Sequence, residues 1–495
     1  MSSLPIKSIY VNRFDGGMTD DPRDEAVNIQ RVIQHFDNYT RAYKLTPYRD
    51  MVADIGSGNE TALETFNIKK VLFANGTVYG LGLNTSTNHT QFYQKVSTGD
   101  PTTAWTSITA ATDASDGNTT NYNFFLYYHK FLYCDYGGGV SKYDIVGASF
   151  TFNDTTSFIP TAQGIVHSKD DTMYVPSANV IWSNLNGSWN SAITLPEYCT
   201  ISSICEYGNY LAIAANQLDG TCTVYLWDRN ASLTTLPEII HWGAGTIQVI
   251  EIVAGVLCGV SQTGINNFAL TPHVMIKSYD GTTLTTIKEF ACSSIAFDGS
   301  VDKQVYNNIF YFLAEMTIDG TVFRGLWKIF KNPSGQLAVS FDILPRNNTA
   351  LGAGSLNGFC RAGDYIIICY QDPTTGNPTI WRSDQTAIYT TTCLATTAIN
   401  PSMPVSDRPQ KKLLVSVGAT YEALPAGAQA LIQYRIDGGN WVTMFTETTT
   451  GQVRTEPVSV SGGGNGTEIE FQVQSTGGAE ITGILYKYIL VPTNE

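Results

Sequence analysis

Gly208-Asn209-Tyr210-Leu211-Ala212-Ile213 places a two-residue turn directly before an apolar strand, and Trp227-Asp228 marks a second strand further on. Gly and Asn accept turn dihedrals, and β-branched and aromatic side chains fill a pleated sheet, so the stretch reads as a hairpin. The same order recurs on both sides of it. Asn75-Gly76 leads into Thr77-Val78-Tyr79, His129-Lys130 into Phe131-Leu132-Tyr133, and Asp170-Asp171 into Thr172-Met173-Tyr174. Ala254-Gly255 precedes Val256-Leu257-Cys258, Asn307-Asn308 precedes Ile309-Phe310-Tyr311, and Gly363-Asp364 precedes Tyr365-Ile366-Ile367. A later strand with a Trp or Tyr beside a charge or Ser follows most of them, as in Lys142-Tyr143-Asp144, Trp182-Ser183, Trp327-Lys328 and Trp381-Arg382. From Tyr79 through Tyr133, Tyr174, Leu211, Leu257 and Tyr311 to Ile367 the steps are 54, 41, 37, 46, 54 and 56 residues. A four-stranded propeller blade takes roughly 40–50 residues. The spacing therefore predicts an all-β protein with a β-propeller of about seven blades over residues 66–402.

The flanks read differently. Residues 1–65 form an N-terminal extension with a short helix and a strand pair. Asp21 is placed to cap the helix, Pro22 suits its first position, Asp24 and Glu25 suit its positive end, and Ala26, Ile29, Val32 and Ile33 share one face. Pro401-Ser402-Met403-Pro404 reads as a linker, and residues 408–495 as a separate C-terminal β-sandwich. Its strands are expected near 413–417, 430–436, 441–446, 468–474 and 484–491, with Ser461 to Gly466 as a loop.

Composition narrows the function classes. Of the 495 residues 43% are hydrophobic, 12% aromatic and only 15% charged, which excludes disorder. The net charge of −14, with 29 Lys/Arg against 43 Asp/Glu, gives no surplus of cations for tight nucleic-acid binding, although passing DNA is compatible with it. Apolar runs such as 252–260 and 365–370 are far shorter than the ~20 residues of a membrane span. The N-terminus lacks an apolar signal region, so synthesis in the cytosol is expected.

Chemistry-bearing patterns are sparse. The six His are far apart, and Glu238 with His241, the one Glu-x-x-His, lies in a stretch that reads as strand. The acids Asp15, Asp20, Asp21, Asp24 and Glu25 lack the alternating spacing of a calcium loop. Neither Gly-x-Ser-x-Gly nor a phosphate loop occurs. Ser278-Tyr279-Asp280-Gly281-Thr282-Thr283 comes near a sialidase-type box only once, and Trp227-Asp228 is the sole Trp-Asp pair. The reading is therefore of a non-enzyme with no catalytic residues, no metal site and no cofactor.

Particular lettering marks the N-terminal flank: Arg13-Phe14-Asp15-Gly16-Gly17-Met18, Asp21-Pro22-Arg23, Asn28, His35-Phe36-Asp37-Asn38 and Lys44-Leu45-Thr46-Pro47-Tyr48. It resembles the opening of a group of tailed-bacteriophage structural proteins that carry a β-propeller, departing from their pattern at Tyr43-Lys44, where a Gly is expected. Ile181-Trp182-Ser183-Asn184-Leu185 is similar to a strand of such propellers. Leu424-Pro425-Ala426-Gly427 with Tyr434 to Trp441 is similar to sandwich modules appended to them. The resemblance implies a structural component of the virion: a tail hub, nozzle or neck-proximal tail protein that helps form or seal the DNA exit channel. The implied partners are copies of itself, as a hexamer, and other tail and neck proteins. The expected assembly contacts are Arg13, Phe14, Gly16, Gly17, Met18, Arg23 and Trp441. A carbohydrate-binding receptor-recognition protein of the tail is the alternative reading, and a propeller glycan hydrolase the second.

Overall fold

The computed structural model describes residues 5–14, 18, 30–34, 36–38, 44–49, 51–54, 66–84, 89–95, 105–110, 122–136, 138–230, 238–263, 272–297, 302–318, 320–343, 356–363, 365–371, 378–383 and 392–492. Among these the chain is nearly all antiparallel strand, with one short 3-10 turn at Val405–Asp407. No helix among them is long and apolar enough to cross a membrane. The chain divides into two compact units, one of residues 51–326 and 349–384, the other of residues 1–50, 327–348 and 385–495.

The first unit is a β-propeller of seven blades. Blade 1 is Phe66–Ala74, Thr77–Asn84, His89–Lys95 and Thr106–Ala110, and blade 2 is Phe125–Tyr128, Phe131–Asp135, Val140–Asp144 and Ser149–Thr155. Blade 3 is Ile165–His167, Thr172–Ser177, Val180–Leu185 and Ser188–Thr194. Blade 4 is Cys199–Tyr207, Tyr210–Gln217, Thr221–Trp227 and Glu238–Ala244. Blade 5 is Thr246–Val253, Val256–Thr263, His273–Tyr279 and Leu284–Ala291. In blade 6, Ser294–Ala296 and Lys303–Tyr306 share one edge of Ile309–Ile318, and the chain leaves the unit within Thr321–Lys331. Blade 7 joins Leu356–Ala362, Tyr365–Gln371 and Pro378–Ser383 to an outer strand from far upstream, Met51–Ala53.

All seven marker residues lie on the second strand of their blade, because the preceding turn is what the sequence signals. The turns have left-handed dihedrals where expected. Both residues are left-handed in Asn75-Gly76, Ala254-Gly255 and Asn307-Asn308, the two-residue turn whose twist matches the flanking strands.

Blades pack face to face through apolar clusters: Leu81 and Phe92 on Leu132 and Tyr143, Tyr133 and Val140 on Met173 and Val175, Tyr174 and Ile181 on Ile213 and Trp227. Trp242 with Val224 meets Ile250 and Leu257, and a Cβ on Gly259 would lie 2.6 Å from the Trp242 ring, so this seam requires glycine there. Cys360 and Ile367 of blade 7 pack on Val71 and Tyr93 of blade 1, which closes the ring.

The second unit is a β-sandwich, and it does not begin at residue 408. Its four-stranded sheet orders Ile6–Val11, Ile481–Leu490, Lys412–Tyr421 and Arg454–Gly466. Its five-stranded sheet orders Gln30–Gln34, Cys393–Thr397, Ile469–Thr476, Gln429–Ile436 and Val442–Glu447. The buried side chains of Val417, Ile432, Phe471, Ile484 and Tyr486 fill the core, with the rings of Phe471 and Tyr486 4.9 Å apart.

Several expectations change here. Gln30–Gln34 is strand, not helix: it pairs with Cys393–Thr397, and that pairing overrides a local pattern compatible with either state. Residues 22–29, the rest of the expected helix, lie outside the described residues. The strand pair in the extension is Phe36–Asp37 with Thr46–Pro47. Residues 1–65 are not a separate extension, since they supply two sandwich strands and the outer strand of blade 7. The boundary before the sandwich falls near 385, not after 402, because Cys393–Thr397 already pairs in its sheet. Pro401 is integrated, its carbonyl accepting from buried Tyr486 Oη at 2.7 Å. Ser461 to Gly466 continues a strand, where a Cβ on Gly466 would collide with Ile436 and Asp437.

Candidate functional site at the propeller axis

The first strands of the blades converge on the axis, where the fold leaves a cavity of about 290 Å³. Apolar side chains, Leu72, Leu126, Val166 and Val305, share its lining with Lys70, Glu251, Asp302 and Lys303. The charges are paired across blades. Lys70 Nζ of blade 1 binds Asp302 Oδ1 of blade 6, and Lys303 Nζ of blade 6 lies 2.9 Å from Glu251 Oε2 of blade 5. Lys303 Nζ also donates to the Ile204 and Ile250 carbonyls at 2.5 and 2.8 Å. Asp302 Oδ2 accepts from the Phe359 amide at 3.2 Å, and a Cβ on Gly358 would stand 2.7 Å from that oxygen. Burial raises the Asp302 carboxyl above the usual carboxylate range, and the Lys70 ammonium opposes the rise.

A common physical need explains this polarity. The innermost strand of each blade has one edge without a neighbour, and its amides and carbonyls must find partners. Side chains of adjacent blades supply them. The Gln163 amide donates to the Phe125 carbonyl at 2.6 Å and accepts from its N–H at 3.1 Å. Gln304 does the same for Arg361 at 3.4 and 2.6 Å, and Ser203 Oγ accepts from the Ile250 N–H at 3.2 Å. Asp135, buried in blade 2, accepts from the Asn123 and Phe124 amides at 2.9 and 3.1 Å, and burial pushes its carboxyl up to about 7. A carboxyl near 7 is the property of a general acid or base. Here both oxygens hold backbone.

Other acids close turns. Asp280 Oδ1 accepts from the Thr282 and Thr283 amides at 2.9 and 2.8 Å, so the sialidase-like stretch is a turn between two strands of blade 5. Glu238 and His241 share a strand, as the stretch around them reads. Among the described residues no group of three His, Cys, Asp or Glu side chains is placed to hold a metal ion.

The described ones among the expected interface residues, Arg13, Phe14, Met18 and Trp441, all belong to the sandwich unit. Phe14 and Met18 are buried inside the sandwich unit, so they cannot form an assembly surface. The Met18 amide donates to the Val339 carbonyl at 2.7 Å, and the Phe14 carbonyl accepts from Asn38 Nδ2 at 3.3 Å. Both residues serve the core of that unit. Arg13 is half-buried and engaged. Gly16, Gly17 and Arg23 lie outside the described residues. Trp441 is half-buried, with the Arg435 guanidinium 4.6 Å from its ring centroid. The axial charges were missed, although Lys69-Lys70 inside Phe66–Ala74 and Asp302-Lys303 beside a strand are readable as charges on apolar strands.

No family model and no curated protein match the chain. Solved structures resemble it weakly. The computationally designed Ika8 protein is 10% identical, with 71% of this chain and 99% of that one covered at a TM-score of 0.36. YjhT is 13% identical, with 56% and 97% covered at 0.38. A Trypanosoma rangeli sialidase is 11% identical, with 98% and 96% covered at 0.33. Likenesses this distant say nothing about activity.

Proposed function

We propose that the chain is a non-catalytic structural component of a tailed-phage virion, working as a tail hub, nozzle or neck-proximal protein in a ring of its own copies. One observation carries the non-catalytic part: at the axis, where a propeller would hold a ligand, the charged groups neutralise one another and bind the blades' own backbone. The placement in a tail rests on the lettering of the N-terminal flank and the sandwich module. A closed ring of blades suits a particle part that must endure without refolding. With Phe14 and Met18 in the core, the contact surface shifts to the exposed apolar side chains on the edge strands of the sandwich, Ile6, Tyr10, Val442 and Val458.

The test is a particle made without the protein. Heads that leak DNA and lack a finished tail are the expected outcome. Intact, DNA-filled particles that merely fail to adsorb would shift the reading to receptor recognition. In solution, Ile6→Lys with Val442→Glu should convert a ring to monomers by light scattering, and an unchanged mass would remove this surface from the proposal.

A further inference from the structure

We propose that Lys328 and Asp342 condense in the folded protein to an isopeptide bond, a covalent clamp between Thr321–Lys331 and Leu337–Ile343. This self-modification does not depend on placement in a virion.

Lys328 follows Trp327, one of the recurring aromatic–charge pairs of the sequence, and Asp342 lies on the returning strand. Both side chains are buried, and Lys328 Nζ stands 2.7 Å from Asp342 Oδ1. Tyr48 Oη donates to the same Oδ1. Asp342 Oδ2 is buried and has no hydrogen-bond partner among the described residues. A second carboxylate, Asp37, brings its Oδ1 to 3.7 Å from Nζ. The Tyr48 and Phe330 rings, with centroids 5.9 and 5.7 Å from Nζ, surround the amine with apolar carbon. All of these residues belong to the sandwich unit.

Each group has a part in a condensation. In apolar surroundings an ion pair and its neutral amine–acid form approach one another in free energy, because burial penalises charge. One proton passes from the ammonium to Asp342 Oδ2, and the amine attacks Cγ. Asp37 takes a second proton from Nζ as the N–C bond forms, and Tyr48 Oη stabilises the negative charge that gathers on Oδ1. The Cγ–Oδ2 bond then breaks, Asp37 returns its proton, and Oδ2 departs as water. The third proton stays on the amide nitrogen. Ammonium and carboxylate thus become amide and water, with no oxidant, reductant or co-reactant. Strands that hold the two groups in contact supply the effective concentration such a step needs. The product also removes two buried charges and an orphaned oxygen, and it keeps Oδ1 on Tyr48.

Other buried pairs lack one of these parts. Asp302 Oδ2, bound to the Phe359 amide, is not free to leave, and Lys303 Nζ is held by the Ile204 and Ile250 carbonyls. Asp54 binds Lys95 with both side chains buried, but it is faced by Arg382, a second cation, where Lys328 has a second carboxylate. These pairs stay ionic and serve as internal controls.

The experiment is the mass of the full-length protein, purified folded and measured after denaturation. The wild type should be lighter than its sequence by one water. Its tryptic digest should contain a branched peptide that joins 328 to 342, because trypsin does not cut after an acylated lysine. Lys328→Arg keeps a cation that cannot condense, and it should show the full sequence mass. Asp37→Asn, followed by mass against time after cell-free synthesis, should slow the bond by about 100-fold. Tyr48→Phe, which keeps the ring, should also slow it by about 100-fold and serves if Asp37→Asn does not fold. A wild type at full sequence mass, or a water lost at any other site, would overturn the proposal. Bond formation at the wild-type rate in both variants would overturn the roles given to Asp37 and Tyr48. Neither result touches the scaffold reading, which requires no covalent bond.

Discussion

Blades 1 to 5 of the propeller are each made of strands that follow one another, while the sandwich pairs Ile6 with Ile489 and Gln30 with Thr397. The first arrangement is local: a turn such as Asn75-Gly76 fixes a hairpin, and the hairpin fixes its blade. The second depends on strands that meet only when the whole chain is present. The contrast teaches that the N-terminal flank is structural in both units, as strands of the sandwich and as the last strand of the ring. It also predicts different fragilities, because long-range pairing must repay loop-closure entropy before it stabilises anything.

The largest effect should come from deleting residues 1–34, which removes one strand from each sandwich sheet. Limited proteolysis should then cut between 393 and 492 while 66–291 resists. A protected sandwich would break the contrast. Next come buried aromatic anchors, one per unit. Trp227→Ala, which loses the edge contact to Tyr174 at 5.9 Å, and Trp327→Ala, which loses Phe341 at 5.4 Å, should each cost about 3–5 kcal/mol in denaturant titration. Costs near zero for either would mean that its unit repacks. Similar in size is Asp342→Ala, which strips the fully buried carboxylate 2.7 Å from Lys328 Nζ in the sandwich unit, at roughly 3–5 kcal/mol.

A smaller effect is expected from pH. The Asp135 carboxyl titrates near 7 when folded and near its ordinary 3.8 when unfolded, so the folded state binds the proton more tightly. Its contribution to stability is complete below the unfolded value and is lost as pH rises through about 7. Asp135→Asn should flatten the fall in stability between pH 5 and 8 relative to wild type, and parallel pH profiles would refute the assignment. Smallest of all, Ala254 sits at φ 48°, where a side chain is strained, and Ala254→Asn should stabilise by about 0.5 kcal/mol. A loss of stability there would show that the Ala254-Gly255 turn is not the source of strain.

By itself the sequence determined the strand class, the position of each blade's first turn and a count of about seven, because these depend on residues close in the chain. Tyr79, Tyr133 and Leu257 are equivalent positions by their distance from a turn alone. The sandwich strands Lys412–Tyr421, Gln429–Ile436, Val442–Glu447, Ile469–Thr476 and Ile481–Leu490 were legible for the same reason, but Arg454–Gly466 was not. Only the tertiary structure decided that Gln30–Gln34 is a strand, that Met51–Ala53 belongs to blade 7, and that Phe14 and Met18 point inward. Gln30, Met51 and Met18 each find a partner more than 300 residues away: Thr397, Ser383 and Val339. The axial pairs Lys70–Asp302 and Lys303–Glu251 were hidden likewise, since a charge on an apolar strand reveals its partner only when ring closure brings the two blades together. Turns and strands obey neighbours in sequence; sheet edges and buried charges obey neighbours in space, and the latter exist only in the closed fold.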